Sequence, residues 1–193
     1  MSPPPTQPKN QVLILLASPR KNGNSTILAE KLAAGVKDAG GDPVVVSLHA
    51  LKIAPCNACN ACLKNPTKGC VIQDDMQSIY PKLKIAHGVV LASPVYWFNY
   101  SAQLKTVIDR TYAIQENNNY ALTGKKVGIL LTYGDVDLFA SGGVNALRSL
   151  QDMCRFVKAD LVGIVHGSAD RPGDITKNED LLAQAFELGK KMV

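Results

Sequence analysis

The stretch QVLILLASPRKNGNSTILAEKLAAGVK, residues 11–37, joins an apolar run to a polar loop and then to a segment of helical periodicity. The run QVLILLAS is continuously apolar, which predicts a strand covered on both faces. Leu28, Leu32 and Val36 then recur four apart, which predicts a helix over about 24–37. A buried strand followed by an amphipathic helix is the repeating unit of parallel α/β folds.

The same alternation continues along the chain. Four further runs predict strands: PVVVSL, HGVVLAS, KVGILLTY and LVGIVHG. A second helix is predicted after the segment DDM, with Asp74 or Asp75 as N-cap and a short first turn or kink at Pro81. A third is predicted over about 101–112 and a fourth from about Ser141. The last is predicted along Leu181, Ala185, Leu188 and Met192. This pattern predicts an α/β, doubly wound, five-stranded parallel sheet in three layers. The flavodoxin-like strand order 2-1-3-4-5 fits it, and that order places a ligand crevice at the carboxyl ends of strands 1, 3 and 4.

Composition predicts one enzyme-sized domain. The 193 residues are 46% hydrophobic and 19% charged, which excludes wholesale disorder. We expect a disordered, proline-rich tail over 1–10 and a single domain over 11–193. The net charge of +5 is scattered along the sequence, so we expect no nucleic-acid partner. Without a long apolar run or a leader-like N-terminus, the sequence predicts a cytoplasmic protein and no membrane partner.

The loop after the first strand has the composition of an anion site. It carries hydroxyl and amide side chains and one glycine from Ser18 to Thr26, and it leads directly into a helix. The free N–H groups of a helix N-terminus favour an anion, and this loop would suit a terminal phosphate. Neither a dinucleotide fingerprint nor a Walker loop is present in the sequence. The alternative is an ordinary N-cap loop, in which the same residue types are common.

The ends of strands 3 and 4 add an aromatic wall to this crevice. Strand 3 is followed by Tyr96, Trp97 and Phe98, and strand 4 ends at Tyr133 and Gly134. A flat heteroaromatic ring needs such a wall, and the glycine lets the backbone approach closely. A phosphate at one end and an aromatic wall at the other predict FMN as the ligand. The histidine that ends the fifth strand lies on this side of the sheet and is either structural or near the flavin.

A loop over 55–71 contains PCNACNACLKNPTKGC, with four of the five cysteines of the chain. Cys56, Cys59 and Cys62 form C-x2-C-x2-C, and Cys70 follows after seven residues. The short gaps would let three thiolates converge on a [4Fe–4S] cluster, and the longer gap would let the fourth approach from the open side. Structural zinc, which prefers two C-x2-C pairs about 12 to 20 residues apart, and free thiols remain alternatives. Cys154 lies on an apolar helical stripe and is predicted to be in the core.

From about residue 11 to 170, the chain resembles the iron–sulfur flavoproteins of the NAD(P)H-dependent FMN reductase family. Four stretches carry the resemblance: ASPRKNGNST; the four-cysteine stretch followed by CVIQDDM; SPVYWFNYSAQLKTVIDRTY; and the region from YGDVD to IVHGSA. The resemblance implies that FMN is held by Ser18, Arg20, Asn22, Asn24, Ser25, Thr26, Pro94, Val95, Tyr96, Trp97, Phe98, Asn99, Tyr133, Gly134 and Asp135. The metal ligands would be Cys56, Cys59, Cys62 and Cys70. No side chain is expected to act as a catalytic group, because FMN and the cluster carry the chemistry.

The predicted function is that of an FMN-dependent oxidoreductase with a [4Fe–4S] cluster. It would exchange electrons between a ferredoxin-like one-electron carrier and a two-electron, small-molecule acceptor or donor. NAD(P)H would be a transient co-substrate, because the sequence offers no separate dinucleotide fingerprint. The resemblance also implies a homodimer or homotetramer, with each cluster near the FMN of a neighbouring subunit. Two alternatives remain: a cluster-free NAD(P)H-dependent FMN or quinone reductase, and a non-catalytic, flavodoxin-like electron carrier.

Overall fold

The computed structural model describes residues 10–115 and 119–193. The strands are β1 (Gln11–Leu16), β2 (Asp42–Ser47), β3 (Gly88–Tyr96), β4 (Asn99–Tyr100), β5 (Lys126–Tyr133) and β6 (Asp160–Ser168). The helices are α1 (Asn24–Asp38), α2 (Ala61–Lys64), α3 (Tyr80–Ile85), α4 (Ala102–Arg110), α5 (Gly143–Phe156) and α6 (Glu179–Lys191). All but the last residue of the predicted proline-rich tail lies outside the described residues.

The sheet has the predicted order. Its strands run β2-β1-β3-β5-β6 and neighbouring strands along this path are parallel, which confirms the order 2-1-3-4-5 of the five predicted strands. One feature was not predicted: the two-residue strand β4 pairs antiparallel with the end of β3. The carboxyl ends of β1, β3 and β5 therefore lie side by side, with β4 folded back beside them.

Helices cover both faces of the sheet, so the predicted three layers are confirmed. Along β1, Val12 and Ile14 belong to one buried cluster together with residues of α1 and α6. Leu13 and Leu15 belong to the other cluster, which includes residues of α3, α4 and α5. This alternation follows from the two-residue period of a strand. Each face of the central sheet therefore has its own apolar core.

The outer strand β2 differs from the expectation that every strand is covered on both faces. It lies at one end of the sheet, and Val45 near its middle is 49% exposed. The inner strand β1, which has a neighbour on each side, is buried at every position. An edge strand has a neighbour on one side only. The apolar run PVVV of β2 therefore indicates a preference for strand structure, not burial on both faces.

Asp74, one of the two predicted N-caps, caps a 3₁₀ turn that precedes α3, whereas α3 itself has no side-chain cap. The carboxylate of Asp74 accepts a hydrogen bond from the backbone N–H of Met76 at 3.1 Å. A single 3₁₀ turn over Asp75–Ser78 follows, and α3 then begins with Pro81 in its first turn. Proline is tolerated there because the first N–H groups of a helix have no partner within it. The predicted interruption is thus a short turn before the helix.

The helices α1 and α6 cross at two glycines. A Cβ atom on Gly35 would overlap the carbonyl oxygen of Phe186, and one on Gly189 would overlap the carbonyl oxygen of Leu32. The contact is reciprocal, because each glycine lies against the backbone of the opposite helix. This close approach holds α6 against α1, the helix whose N-terminus borders the predicted phosphate loop.

We expect Gly35→Ala to destabilise the protein by about 1–3 kcal/mol, the usual cost of overpacking. Helix propensity alone would stabilise this variant by about 1 kcal/mol, so the clash with α6 should reverse the sign. The free energy of unfolding in urea measures the effect. Ala34→Gly, at an exposed position of α1, is the control because it changes propensity alone. A Gly35→Ala protein more stable than the wild type would show that the two helices separate without cost.

Candidate functional site

A cavity of about 240 Å³ lies at the carboxyl ends of β1, β3 and β5. Its lining includes nine of the predicted cofactor residues: Ser18, Arg20, Asn24, Ser25, Pro94, Val95, Tyr96, Tyr133 and Gly134. The structure adds four that sequence reasoning missed: Gly23, Thr132, Ala169 and Asp170. The remaining predicted residues are not part of the lining: Asn22, Thr26, Trp97, Phe98, Asn99 and Asp135. The crevice thus lies at the edge of the sheet where the strand order placed it.

The polar end of the cavity is the N-terminus of α1. Gly23 is the N-cap and supplies no side chain to the helix, so the first N–H groups keep their capacity to bind an anion. The hydroxyl of Ser25 lies 2.7 Å from that of Thr132 on β5. The Ser18 hydroxyl accepts from the N–H of Arg20 at 3.3 Å. A helix N-terminus that has no side-chain cap and has hydroxyl groups around it suits the phosphate of FMN.

Two predicted phosphate residues have their side chains engaged elsewhere. The amide of Asn24 donates to the carbonyl oxygens of Ala169 at 2.9 Å and Arg171 at 3.0 Å. The hydroxyl of Thr26 donates to the carbonyl oxygen of Arg20 at 2.9 Å and holds the loop in its turn. The side chains of Asn24 and Thr26 therefore shape the loop, while their backbone lies at the start of α1.

The contact of Asn24 also explains two of the missed residues. It draws the segment after β6 against the start of α1, and Ala169 and Asp170 thereby reach the cavity. The predicted strand order assigns the site to the loops after the first, third and fourth predicted strands, which are β1, β3 and β5. It therefore omits the loop after the fifth predicted strand, β6. An asparagine at the first helical position was the available signal, but its partner lies 145 residues away.

The aromatic wall is built on a tight turn. Val95 pairs with Tyr100 and Tyr96 with Asn99, so Trp97 and Phe98 are the two central residues of a hairpin. Both have positive φ angles, 47° and 63°. Positive φ at both central positions is the signature of a type I′ turn, which normally selects asparagine and glycine. Sequence reasoning missed this hairpin because aromatic residues occupy it.

The turn presents its side chains outward. Trp97 is 93% exposed and Phe98 is 54% exposed. A Cβ atom on Gly142, just before α5, would overlap the ring of Phe98, so the ring can pack there only because residue 142 is glycine. Left-handed backbone at aromatic residues costs of order 1–3 kcal/mol each and is concentrated at functional sites. The aromatic turn is therefore a candidate for contact with a ligand or a partner.

Buried serines hold the base of the turn. The N–H of Ser101 donates to the hydroxyl of Ser93 at 2.9 Å. The hydroxyl of Ser101 donates to the carbonyl oxygen of Ala17 at 3.2 Å. These two bonds tie the ends of β1 and β3 to the start of α4. They fix the position of the segment that carries the aromatic residues.

Tyr133 and His166 form a pair below the cavity. The Tyr133 hydroxyl lies 3.1 Å from the imidazole Nδ1 of His166. Burial raises the pKa of Tyr133, with a further contribution from Asp137, and burial lowers the pKa of His166. Both shifts favour the neutral forms near pH 7. His166 does not line the cavity itself, but it contacts Tyr133, which does.

All four cysteines of the loop line a second cavity of about 550 Å³. Its opposite wall includes Ile108, Tyr112, Leu122, Met153 and Val157. Within the loop, Ala58 and Asn60 have positive φ angles of 55° each, which turns the chain sharply between successive cysteines. The short helix α2, which the sequence did not predict, begins just before Cys62. The four cysteines of the loop thus border one cavity whose remaining lining is largely apolar.

The thiols fit a metal group in type and number. Burial raises the pKa of the Cys62 thiol, and the nearby Cys70 and Cys56 thiols raise it further. Yet across residues 10–115 and 119–193, no three His, Cys, Asp or Glu side chains are grouped closely enough to hold a metal ion. Four sulfur donors on one cavity suit a cluster chemically, and the loop must draw them closer together to bind one.

Cys154 is separate from this group. It is 1% exposed on α5, which confirms its predicted place in the core. Burial raises its pKa to about 11. A thiol with that pKa stays protonated at neutral pH and is a poor metal ligand.

In the portion of the chain that the structure describes, no helix combines the length and apolar character needed to span a bilayer.

Comparison with known proteins agrees with this geometry. The model of a family described as NADPH-dependent FMN reductase matches residues 10–170. An iron–sulfur flavoprotein from Methanosarcina thermophila is 39% identical over 117 residues, which cover 61% of this chain and 59% of that protein. An iron–sulfur flavoprotein from Methanocaldococcus jannaschii is 33% identical over an alignment covering 94% of this chain and 95% of that protein.

Solved structures show the same architecture. The NAD(P)H:quinone oxidoreductase from Methanothermobacter marburgensis superposes with a TM-score of 0.72 and 22% identity, covering 94% of this chain and 95% of that one. At this identity the likeness concerns the fold alone. It confirms the predicted flavodoxin-like architecture. The family match over residues 10–170 confirms the family resemblance. The chain belongs to the NADPH-dependent FMN reductase family of flavin oxidoreductases.

Proposed function

We propose that this protein is an FMN-dependent oxidoreductase that also carries a [4Fe–4S] cluster in its cysteine loop. It exchanges electrons between a two-electron partner such as NAD(P)H and a ferredoxin-like one-electron carrier. One observation carries the proposal: all four loop cysteines line one cavity, in a chain with a second cavity at the end of a flavodoxin-like sheet, where the N-terminus of α1 suits the phosphate of FMN. When bound, FMN supplies one- and two-electron chemistry and the cluster supplies single-electron transfer.

The chain would bind FMN mainly through backbone and hydroxyl groups. The N–H groups at the start of α1 would hold the phosphate, with the hydroxyls of Ser18, Ser25 and Thr132 around it. The cavity of about 240 Å³ lies below the range of about 300–1,000 Å³ usual for cofactor sites. The flavin ring would therefore extend past Tyr96 toward the aromatic turn, where water is excluded only in part.

The exposed aromatic turn supports a second copy of the chain as a partner. Trp97, Val136 and Phe139 are 93%, 84% and 75% exposed, and all three follow strands that end at the cavity. Clustered exposed apolar side chains of this size mark interaction sites. A homodimer or homotetramer would cover them and enclose the ring. NAD(P)H would then enter transiently against the ring, because the sequence has no separate dinucleotide fingerprint.

The second candidate is a cluster-free NAD(P)H-dependent FMN or quinone reductase. The spacing of the thiols favours it, because the described residues contain no group already arranged to hold a metal. In that case the cysteine loop would serve packing or redox regulation. The FMN cavity and its residues are the same in both candidates.

Anaerobic purification followed by spectroscopy and analysis separates the candidates. We expect flavin absorption with a broad shoulder, and about four irons and four sulfides per FMN, the stoichiometry of one such cluster. Flavin without iron, bleached rapidly by NADPH, would support the cluster-free reductase instead. A protein reconstituted with FMN that retains neither flavin nor iron would contradict both.

A further inference from the structure

The cysteine loop is closed at its base by a buried ion pair. Arg110, the last residue of α4, is 1% exposed and pairs with Asp74 through two hydrogen bonds of 2.7 and 3.1 Å. The guanidinium is the largest of the fully buried side chains among the described residues. An arginine is rarely buried so completely unless every donor has a partner.

The remaining contacts of Arg110 reach both ends of the loop. One guanidinium nitrogen donates to the carbonyl oxygen of Ala54 at 2.8 Å, just before the loop begins. The other lies 3.5 Å from the carbonyl oxygen of Ile72, just after the loop ends. The Nε atom donates to the hydroxyl of Tyr80 at 3.3 Å. The side chain of Arg110 thus connects the segment that enters the cysteine loop with the segment that leaves it.

Asp74 completes the arrangement from the other side. Its carboxylate accepts from the N–H of Ala54 at 2.8 Å as well as from Arg110. Burial disfavours the Asp74 carboxylate, but the hydrogen bonds from Arg110 and from backbone N–H groups outweigh it and lower its pKa. The side-chain amide of Gln77 also holds the end of the loop, because it donates to the carbonyl oxygens of Cys70 at 3.1 Å and Ile72 at 2.7 Å.

The geometry points to Arg110 and Asp74 as positioning residues that hold the two ends of the cysteine loop together, so that its four thiols face one cavity. This inference rests on the proposed metal function of the loop, but the pair would order the loop whether or not a metal is bound. Neither residue is one of the proposed thiol ligands, although Arg110 lines the same cavity as the four cysteines. Their effect passes through the backbone at Ala54 and Ile72.

Lysine cannot replace arginine in this arrangement. A guanidinium is a planar fork that donates in several fixed directions, whereas an ammonium is a compact point charge. Arg110→Lys keeps the charge but cannot reach Asp74, Ala54 and Ile72 together. Asp74→Asn keeps the shape and the N-cap oxygen but removes the charge. The two variants therefore weaken the pair from opposite sides.

The test uses cofactor-free protein and two readouts. Limited trypsin digestion followed by mass spectrometry measures cleavage after Lys64 and Lys68, both exposed inside the loop. Titration with Co²⁺, followed by its thiolate-to-metal absorption, measures how readily the thiols converge. The matched control is Arg148→Lys, which alters an exposed ion pair with Asp152 on α5. Circular dichroism confirms that each variant is folded at the assay temperature.

We expect both Arg110→Lys and Asp74→Asn to accelerate loop cleavage at least about tenfold. They should also weaken Co²⁺ binding by about 10- to 100-fold, the range seen when residues that orient metal ligands are lost. Arg148→Lys should change neither. Faster cleavage in Asp74→Asn alone still supports the inference if Arg110→Lys is unfolded.

Wild-type rates of loop cleavage in both folded variants would overturn the inference. So would a Co²⁺ spectrum and affinity unchanged in both, if the wild type binds Co²⁺. A wild type that gives no thiolate-to-Co²⁺ absorption would count against the proposed metal function. The cleavage ratios would then decide the positioning role alone.

Discussion

Replacing Ser25 by aspartate should weaken FMN binding by about a thousandfold. Ser25 is 1% exposed at the first turn of α1, and its hydroxyl faces Thr132 at the polar end of the cavity. A carboxylate there would lie within a few ångströms of the flavin phosphate. Two unit charges about 4 Å apart repel by ~4 kcal/mol at an effective dielectric constant of ~20, and that energy corresponds to a factor of about 10³ in Kd. Flavin fluorescence quenching measures the change.

Riboflavin provides the control for this variant, because it has the flavin ring but no phosphate. Ser25→Asp should bind riboflavin about as well as the wild type does. Ser25→Ala removes only the hydroxyl contact, so we expect FMN to bind no more than about tenfold more weakly, the cost of one ordinary hydrogen bond. The fold should survive the aspartate, since an acidic residue is favourable in the first turn of a helix. Equal losses for FMN and riboflavin would contradict a phosphate site at α1.

Replacing Cys59 by alanine should lower the iron content and leave FMN in place. Cys59 is exposed in the loop, so its loss costs little packing. A [4Fe–4S] cluster needs one cysteine for each iron, and three thiols leave one iron without a protein ligand. Among the described residues, the cavity of the thiols and the cavity of Ser25 share none. Iron, sulfide and FMN analysis of anaerobically purified protein measures the outcome.

Cys154→Ala is the matched control, because it removes a buried core thiol that is not part of the lining of the loop cavity. It should keep the wild-type iron content, although the smaller side chain will lower the free energy of unfolding. Electron transfer from NADPH to a one-electron acceptor should fall in Cys59→Ala while flavin reduction by NADPH persists. Full iron content in Cys59→Ala would contradict the assignment of this cysteine as a ligand.

The strands and helices could be predicted because they depend on local patterns, and the flavodoxin-like strand order is the one that fits five such strands. Runs such as QVLILLAS report burial on two faces, and the intervening periodic segments report helices that cover them. The position of the crevice then follows from the topology, which is why Ser18, Tyr96 and Tyr133 were all anticipated at one edge of the sheet.

Other parts of the site depend on contacts between distant residues. Asp170 reaches the cavity because Asn24 binds the backbone beside it. The turn at Trp97 and Phe98 adopts positive φ angles that their own preferences disfavour. No local pattern identifies the distant partner of Asn24, and none signals the turn at Trp97 and Phe98.

By itself, the sequence determined the doubly wound sheet, the place of the crevice and the concentration of four thiols in one loop. Each of these follows from residue type and spacing along a short stretch of chain. Only the tertiary structure decided which way side chains such as that of Asn24 point, and that Arg110 joins the two ends of the cysteine loop. The physical reason is that a buried polar group must find partners wherever the packed chain supplies them, and those partners can lie anywhere in the sequence.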